Sequence, residues 1–171
     1  MSPARRLPSP SDPRRRRRDR GGAAVATRRL AAERTIQRPP EEVFDWVADH
    51  RHVARVLEGV SEWQPLGEPA QGTGARYRVV LGMLPVPIPA RLVIVEWERP
   101  RVIAWDTESS PVLNRGRWTF RPAGAGTRVE LALVYQPPAG ALGNFVAARV
   151  ESTVRDRIVR ALDRMKTELE S

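Results

Sequence analysis

The chain has 171 residues, no cysteine and a formal net charge of +9. Its length predicts one globular domain of roughly 150 residues with a tail. The absence of cysteine excludes a disulfide framework and thiolate metal sites, and it fits a cytoplasmic protein. No run of about 18 apolar residues occurs, so the sequence predicts no transmembrane helix.

The positive charge is concentrated at the N-terminus. Residues 1–24 hold eight arginines and two aspartates, and Leu7 is their one sizeable apolar side chain. Such a segment cannot bury enough apolar surface to offset the entropy lost on ordering. We therefore expect a disordered arginine-rich tail over residues 1–24 and a folded domain over residues 25–171.

The basic run Arg14–Arg18 has three interpretations. It makes weak contact with an anionic membrane or nucleic acid, it is a solvated extension without a partner, or it results from a start codon placed too early. No apolar core of about 7–15 residues follows the arginines, which argues against an export signal. Because the charge is confined to the tail, we expect no specific nucleic-acid recognition.

The domain begins with a strand and two short helices. A weakly alternating strand is predicted over Val25–Gln37. Pro40 suits the first turn of a helix, where a backbone N–H group would have no partner. Glu41 and Glu42 fit the same turn, because the helix dipole stabilises negative charge at the N-terminus. Apolar residues at helical spacing then indicate a second short helix. These residues are Val53, Val56, Leu57 and Val60.

The middle of the chain consists of strand patterns separated by turns. Because no helical pattern lies between them, the strands predict an antiparallel meander. The predicted strands are Trp63–Leu66, Ala75–Leu81, Ala90–Trp97, Val102–Glu108, Arg115–Arg121 and Thr127–Tyr135.

Residues 82–89 alternate proline with apolar side chains. Proline at alternate positions cannot sit in a central strand, so this segment is a loop or an edge. Its apolar residues either form an exposed patch that touches a membrane or gates a cavity, or they fold back on the domain. They are Met83, Leu84, Val86 and Ile88.

One hairpin register is predicted from its side chains. The strands Val102–Glu108 and Arg115–Arg121 can be paired so that one face is aromatic and the other ionic. The predicted opposite pairs are Trp105 with Trp118, Ile103 with Phe120, Asp106 with Arg117 and Glu108 with Arg115. This register places both tryptophans on the concave side of the sheet.

The C-terminal part of the sequence carries apolar residues at steps of four and three. This apolar stripe predicts a helix of about 28 residues, roughly 42 Å long, which must lie across one curved sheet. The stripe consists of Leu142, Val146, Val150, Val154, Ile158, Leu162, Met165 and Leu169. Arginines crowd the positions off this stripe, at Arg149, Arg155, Arg157, Arg160 and Arg164.

The chain resembles the START-like (SRPBCC) polyketide cyclase/dehydrase and lipid-transport family over about residues 32–170. The resemblance rests on motifs that stand in the family's order: Arg38–Asp45, Glu98–Trp105, Asn114–Pro122, Gly126–Glu130, Tyr135–Gly140 with Gly143, and Leu162–Lys166. It implies an α+β helix-grip fold, in which a curved antiparallel sheet of about seven strands wraps around a long C-terminal helix. Two short helices follow the first strand.

The resemblance also implies an apolar cavity between the sheet and the long helix. Three helices cannot completely fill a strongly bent sheet, and an apolar pocket with a few polar groups is the default ligand site. Aromatic residues of the inward register are the candidate ligand-binding residues, although they would equally serve as core packing. They are Tyr77, Trp105, Trp118, Tyr135 and, on the long helix, Phe145.

Few residues suggest catalysis or metal binding. His50 and His52 flank Arg51 in a predicted loop without a third ligand at suitable spacing, so we expect an exposed pair and no metal. Gly72–Gly74 is too short for a phosphate loop and precedes a strand. Glu96 is ambiguous, since a buried Glu96 would be a polar anchor or a general base. We expect no catalytic residue and no cofactor.

Three function classes follow. The first is binding or carriage of an apolar small molecule, such as a lipid, a quinone or a polyketide-like ring. The alternative is a polyketide cyclase, aromatase or dehydratase acting in the same cavity. The third is an adaptor for nucleic acid or an anionic membrane, driven by the tail. Because the sequence offers few candidate acids and bases, we expect binding and not catalysis. We expect the protein to be a monomer or a homodimer.

Overall fold

A computed structural model describes residues 27–82, 87–110, 114–136 and 141–171, without the side chains of residues 141–150. Within these ranges the elements are β1 (Arg28–Ile36), α1 (Pro40–Ala48), α2 (His50–Val56), β2 (Val60–Pro65), β3 (Arg76–Leu81), β4 (Ile88–Glu98), β5 (Val102–Ser109), β6 (Asn114–Ala123), β7 (Gly126–Tyr135) and α3 (Ala141–Glu170). The predicted tail and the residues Met83, Leu84 and Val86 of the predicted patch lie outside the described residues.

The described strands form one antiparallel sheet in the order β1-β7-β6-β5-β4-β3-β2. The first strand pairs with the last, while α1 and α2 carry the chain across to the opposite edge at β2. The sheet curls into a half-barrel, and α3 lies in its hollow against β1 and α2. This architecture confirms the predicted helix-grip fold. In the described part of the chain, no helix is long and apolar enough to cross a membrane.

Helix α1 begins as its sequence predicts and is held to the sheet by one aromatic side chain. Pro40 occupies the first turn, together with the acidic Glu41 and Glu42. Phe44 is buried, and its ring meets the rings of Trp97 and Phe120 at centroid distances of 5.4 Å each. These edge-on contacts fix α1 over the end of the sheet.

Helix α2 begins earlier than the apolar spacing predicted. The Asp49 side chain accepts a hydrogen bond from the backbone N–H of Arg51 at 2.9 Å, which caps a helix that starts at His50. The helix ends at Val56, and Val60 opens β2 instead of extending the helix. The prediction for Val60 was therefore wrong, because strand pairing with Leu81 overrides the helical spacing.

The apolar stripe of α3 is confirmed where side chains are described. Ile158, Leu162 and Met165 are fully buried against the sheet. Val154 and Leu169 pack against the same core with partial exposure. The side chains at Leu142, Val146 and Val150 lie outside the described residues.

The predicted register of the β5–β6 hairpin is wrong by two residues, although its two faces are assigned correctly. Trp105 lies opposite Gly116 and not opposite Trp118, which faces Ile103. A shift of two residues keeps every side chain on its predicted face. Gly116 explains the observed register, since a Cβ at this position would collide with the indole ring of Trp105.

The outer face of the sheet is ionic, but its ion pairs reach further than the predicted hairpin pairs. Asp106 pairs with Arg115 directly across the hairpin at 3.3 Å. Arg117 instead reaches across β5 to Glu96 on β4, passing over the small side chain of Ala104. The predicted Asp106–Arg117 and Glu108–Arg115 pairs do not form, and Glu108 pairs with Arg76 on β3 at 2.8 Å.

Gly116→Ala tests the hairpin packing. We expect a loss of about 1–3 kcal/mol in the free energy of unfolding, because the added methyl group displaces the Trp105 indole. Adding Trp105→Leu should remove most of the Gly116→Ala penalty in a double-mutant cycle measured by urea unfolding. Gly82→Ala is the matched control, since a Cβ there meets no atom closer than 3.5 Å. Equal effects at both glycines would contradict this packing.

Candidate functional site

A cavity lies between the concave face of the sheet and α3. Its volume is about 190 Å³, far more than the roughly 10–15 Å³ that one water requires. Alternate residues of β3, β4 and β7 form most of its wall, because successive strand side chains point to opposite faces. The apolar lining residues include Leu30, Val79, Leu81, Ile88, Ala90, Leu92, Leu131, Leu133, Val154 and Ile158.

A second, smaller pocket adjoins this cavity beneath the two short helices. Its volume is about 30 Å³, enough for water but not for a ring-sized ligand. Trp63, Leu92 and Trp105 border both spaces, so the two share a wall. The remaining lining of the small pocket is aromatic and apolar apart from His50.

The structure places the predicted ligand-binding residues at two different pockets. Trp105 and Tyr135 line the large cavity. Tyr77 and Trp118 line the small pocket, and Trp118 is only 3% exposed. The side chain of Phe145 lies outside the described residues.

The polar groups of these aromatic residues are held by neighbours. The Trp105 Nε1–H group donates to the Asn114 Oδ1 atom at 3.3 Å, and the Tyr77 hydroxyl donates to the Ala70 carbonyl at 2.6 Å. Burial, followed by the charge of Glu151, raises the pKa of Tyr135, whose hydroxyl lies 3.4 Å from that carboxylate. These contacts orient the rings as a fixed wall.

The two histidines belong to α2 and not to an exposed loop. The ring of His50 packs on Tyr77 at a centroid distance of 5.4 Å, and burial lowers the pKa of His50. The ring of His52 stacks on Trp46 at 5.0 Å, with Nδ1 lying 3.0 Å from the Trp46 carbonyl oxygen. The two rings therefore have separate partners. Among the described residues, no cluster of acidic, histidine or cysteine side chains could hold a metal ion.

Glu96 is not a polar anchor of the cavity. A β-bulge between Ile94 and Glu96 leaves the carboxylate on the outer face of the sheet, where it forms a bidentate pair with Arg117. The hypothesis of a buried general base at this position was wrong. The bulge explains why alternation along β4 could not locate this side chain.

Sequence reasoning missed the polar residues that do line the large cavity. Glu58, Asn114 and Arg157 line it, and so does Trp63, whose indole carries an N–H group. Arg157 had been grouped with the arginines off the apolar stripe, yet its Nη1 atom is buried. One signal was available, because Arg157 stands three residues after Val154 and directly before Ile158, at the edge of the buried stripe.

The Glu58 carboxylate forms ion pairs with the long helix. Both Arg160 and Arg164 donate to its carboxylate, from 2.9 Å and 2.5 Å respectively. The hydrogen bond from Arg160 is the main reason that the pKa of Glu58 is lowered. The carboxylate is therefore ionised near neutral pH and engaged by two cations at the rim of the cavity.

Fold and cavity together define a helix-grip protein with an internal apolar chamber. The family model for polyketide cyclase/dehydrase and lipid transport matches residues 27–170. The chain belongs to this family, which confirms the resemblance seen in its motifs. Membership supports either binding of an apolar ligand or polyketide cyclisation, without favouring one of them. No functionally curated protein sequence matches the chain significantly.

Solved structures share the fold at low sequence identity. A protein of Thermus thermophilus superposes with a TM-score of 0.72 at 22% identity, covering 83% of this chain and 97% of that one. The Zhui aromatase/cyclase of Streptomyces sp. R1128 gives 0.64 at 21% identity, with coverage of 85% and 94%. The di-domain ARO/CYC protein BexL of the BE-7585A biosynthetic pathway gives 0.64 at 19%, with coverage of 85% and 50%.

The half-buried imidazole of His50 predicts a loss of stability in mild acid. Its pKa in the folded chain is lowered from 6.5, so the unfolded chain binds more protons as the pH falls below that value, and the folded state loses stability. The pKa values of the carboxyl groups are lowered from 3.8 or 4.5 at Asp45, Asp49 and Glu58. Protonation of these groups therefore reduces the stability of the protein only in more acidic solution.

Urea midpoints measured between pH 7 and about pH 5 test this expectation. His50→Gln should reduce the slope of stability against pH in that window, because it removes the imidazole and keeps a polar side chain. Identical slopes in wild type and His50→Gln would show that burial of His50 does not control the effect.

Contact quenching of tryptophan fluorescence tests which rings border the large cavity. A brominated hydrocarbon such as bromodecane quenches only the indoles that it touches. We expect Trp105→Phe to remove a large part of the quenching, because this ring lines the large cavity, and Trp118→Phe to leave most of it. The reverse result would place the ligand in the small pocket.

Proposed function

We propose that the protein binds or carries an apolar small molecule in the large cavity. The observation that supports this proposal most strongly is the composition of the wall. Most described lining residues are aliphatic or aromatic, and the charged or amide exceptions are Glu58, Asn114 and Arg157. Such a wall offers water few hydrogen bonds, so transfer of an apolar ligand from water into the cavity is favourable.

The polar groups on the wall favour binding over catalysis. A general base must accept a proton near the working pH. Among the described residues that line the large cavity, Glu58 is held by two arginines and Tyr135 has a raised pKa. Neither is poised to exchange protons near neutral pH.

Polyketide cyclisation or aromatisation is the second candidate function. It is favoured by similarity to the Zhui aromatase/cyclase and to BexL, and by His50 at the adjoining pocket. Because burial lowers the pKa of His50, its imidazole is neutral near pH 7 and could accept a proton. Conversion of a linear polyketone into an aromatic product, abolished in His50→Gln, would establish this alternative.

Filling the cavity should prevent binding without unfolding the protein. Ala90 lies on the cavity wall and is 3% exposed, so Ala90→Phe projects a ring into the open volume. We expect the affinity for the neutral dye N-phenyl-1-naphthylamine to fall roughly tenfold or more, which corresponds to about 1.4 kcal/mol. The melting temperature should stay the same or rise, because the ring occupies a void.

Val95→Phe is the matched control, since Val95 lies on the same strand and is 46% exposed. Its dye affinity should equal that of the wild type in a fluorescence titration. If Ala90→Phe folds and binds the dye as tightly as the wild type, the cavity is not the binding site.

A further inference from the structure

Two residues that line the large cavity each carry a buried N–H group without a hydrogen-bond partner. Among the described residues, Trp63 Nε1 and Arg157 Nη1 are the buried side-chain nitrogen or oxygen atoms that lack a hydrogen-bond partner. Both residues line the large cavity. Buried donors in native proteins are almost always paired, so each exception requires an explanation. Because both residues line the same cavity, one explanation can account for both unpaired groups.

Gly59 makes room for the Arg157 guanidinium. The glycine has a φ of +86°, and a Cβ there would collide with the Arg157 Nη1 atom. The guanidinium therefore packs directly on the backbone of the turn before β2. Arg157 also begins a row on α3 that continues with Arg160 and Arg164, but those two arginines hold Glu58 while Arg157 does not.

The neighbouring carboxylates are already engaged by other cations. Glu58 is held by Arg160 and Arg164, and Glu151 pairs with Arg28 at 2.8 Å. The undescribed stretches that follow residue 26 contain no acidic residue, and residues 1–26 contain only Asp12 and Asp19. Among the described residues that line the cavity, no carboxylate is therefore free to pair with Arg157.

A buried Nη1–H group without a partner opposes folding in the ligand-free protein. Burying a charged donor without a partner costs free energy, and apolar replacement of such a group is often neutral or stabilising. Residues that reduce stability in this way are typical of ligand sites, where the ligand completes the missing interaction.

We propose that the ligand carries a carboxylate that binds Arg157, with its apolar body in the cavity and the Trp63 Nε1–H group as a second donor. This inference rests on the proposed function and specifies its ligand as an amphiphilic organic acid. A guanidinium binds a carboxylate through charge-assisted hydrogen bonds, which are about twice as strong as neutral ones. A neutral hydrocarbon would leave both donors unpaired.

Displacement of bound N-phenyl-1-naphthylamine by decanoate and by decan-1-ol tests the proposal. The two competitors share the same chain length and differ in the head group. The wild type should bind decanoate roughly tenfold more tightly than decanol, and Arg157→Met should bind the two about equally. Arg157→Lys should show part of the preference that Arg157→Met loses, because lysine keeps the charge but lacks the paired N–H donors of a guanidinium.

Arg155→Met is the matched control, since Arg155 is an exposed arginine on the same helix. It should keep the full preference for decanoate. If wild type binds dye and both competitors with no preference, or if Arg157→Met retains the preference, the carboxylate site is wrong while the apolar cavity stands. If the dye does not bind at all, the proposed function fails and this inference fails with it.

Thermal unfolding supplies a readout that does not depend on the dye. Without ligand, Arg157→Met should melt at the same temperature as the wild type or higher, because a buried N–H group without a partner is removed. Decanoate should raise the melting temperature of the wild type and of Arg155→Met but not that of Arg157→Met. A lower melting temperature in ligand-free Arg157→Met would show that the guanidinium has an internal structural partner, which would overturn the proposal.

Discussion

The position of the long helix across the curled sheet determines the rest of the structure. Polar contacts attach α3 on both of its sides. Arg34 of β1 binds Asp163 at 2.6 Å, and Lys166 donates to the Thr35 carbonyl at 2.8 Å. On the other side, Arg55 of α2 binds Glu168 at 3.0 Å. Exposed pairs of this kind add little stability individually, but several together fix the position of a helix.

The cavity follows from this attachment and from the side chains beneath the helix. The C-terminal half of α3 is close-packed, with Leu162 and Met165 completely buried. Further towards its N-terminus, the helix faces Val79, Ala90 and other residues too small to fill the hollow of the sheet. A void of this size is costly to leave empty, since its lining loses van der Waals contacts. A bound ligand of the kind that we propose would restore these contacts.

The sequence was sufficient for the fold because its patterns are local. Period-two strands, the apolar stripe from Val154 to Met165 and the proline at the start of α1 each specify one element. The faces of the hairpin were predictable for the same reason. Its register was not, because matching Trp105 to Trp118 neglected the space that an indole requires, which Gly116 provides.

The site was less predictable, since it depends on distances between elements. Inward aromatic residues could be listed, but whether Trp118 borders the large cavity or the small pocket depends on the curvature of the sheet. The sequence pattern does not distinguish Arg157 from its neighbours Arg155 and Arg160, because the burial of its Nη1 atom beside Gly59 depends on how α3 packs. Likewise, a bulge in β4 turned Glu96 to the outer face.

Native mass spectrometry of the full-length protein tests the central claim most directly. After incubation with a mixture of apolar small molecules and removal of the excess, the wild type should appear as a complex with one bound molecule per chain. Ala90→Phe should appear as the free chain, because its cavity is filled. A wild type that retains no molecule, or an Ala90→Phe variant that retains as much as the wild type, would contradict the account.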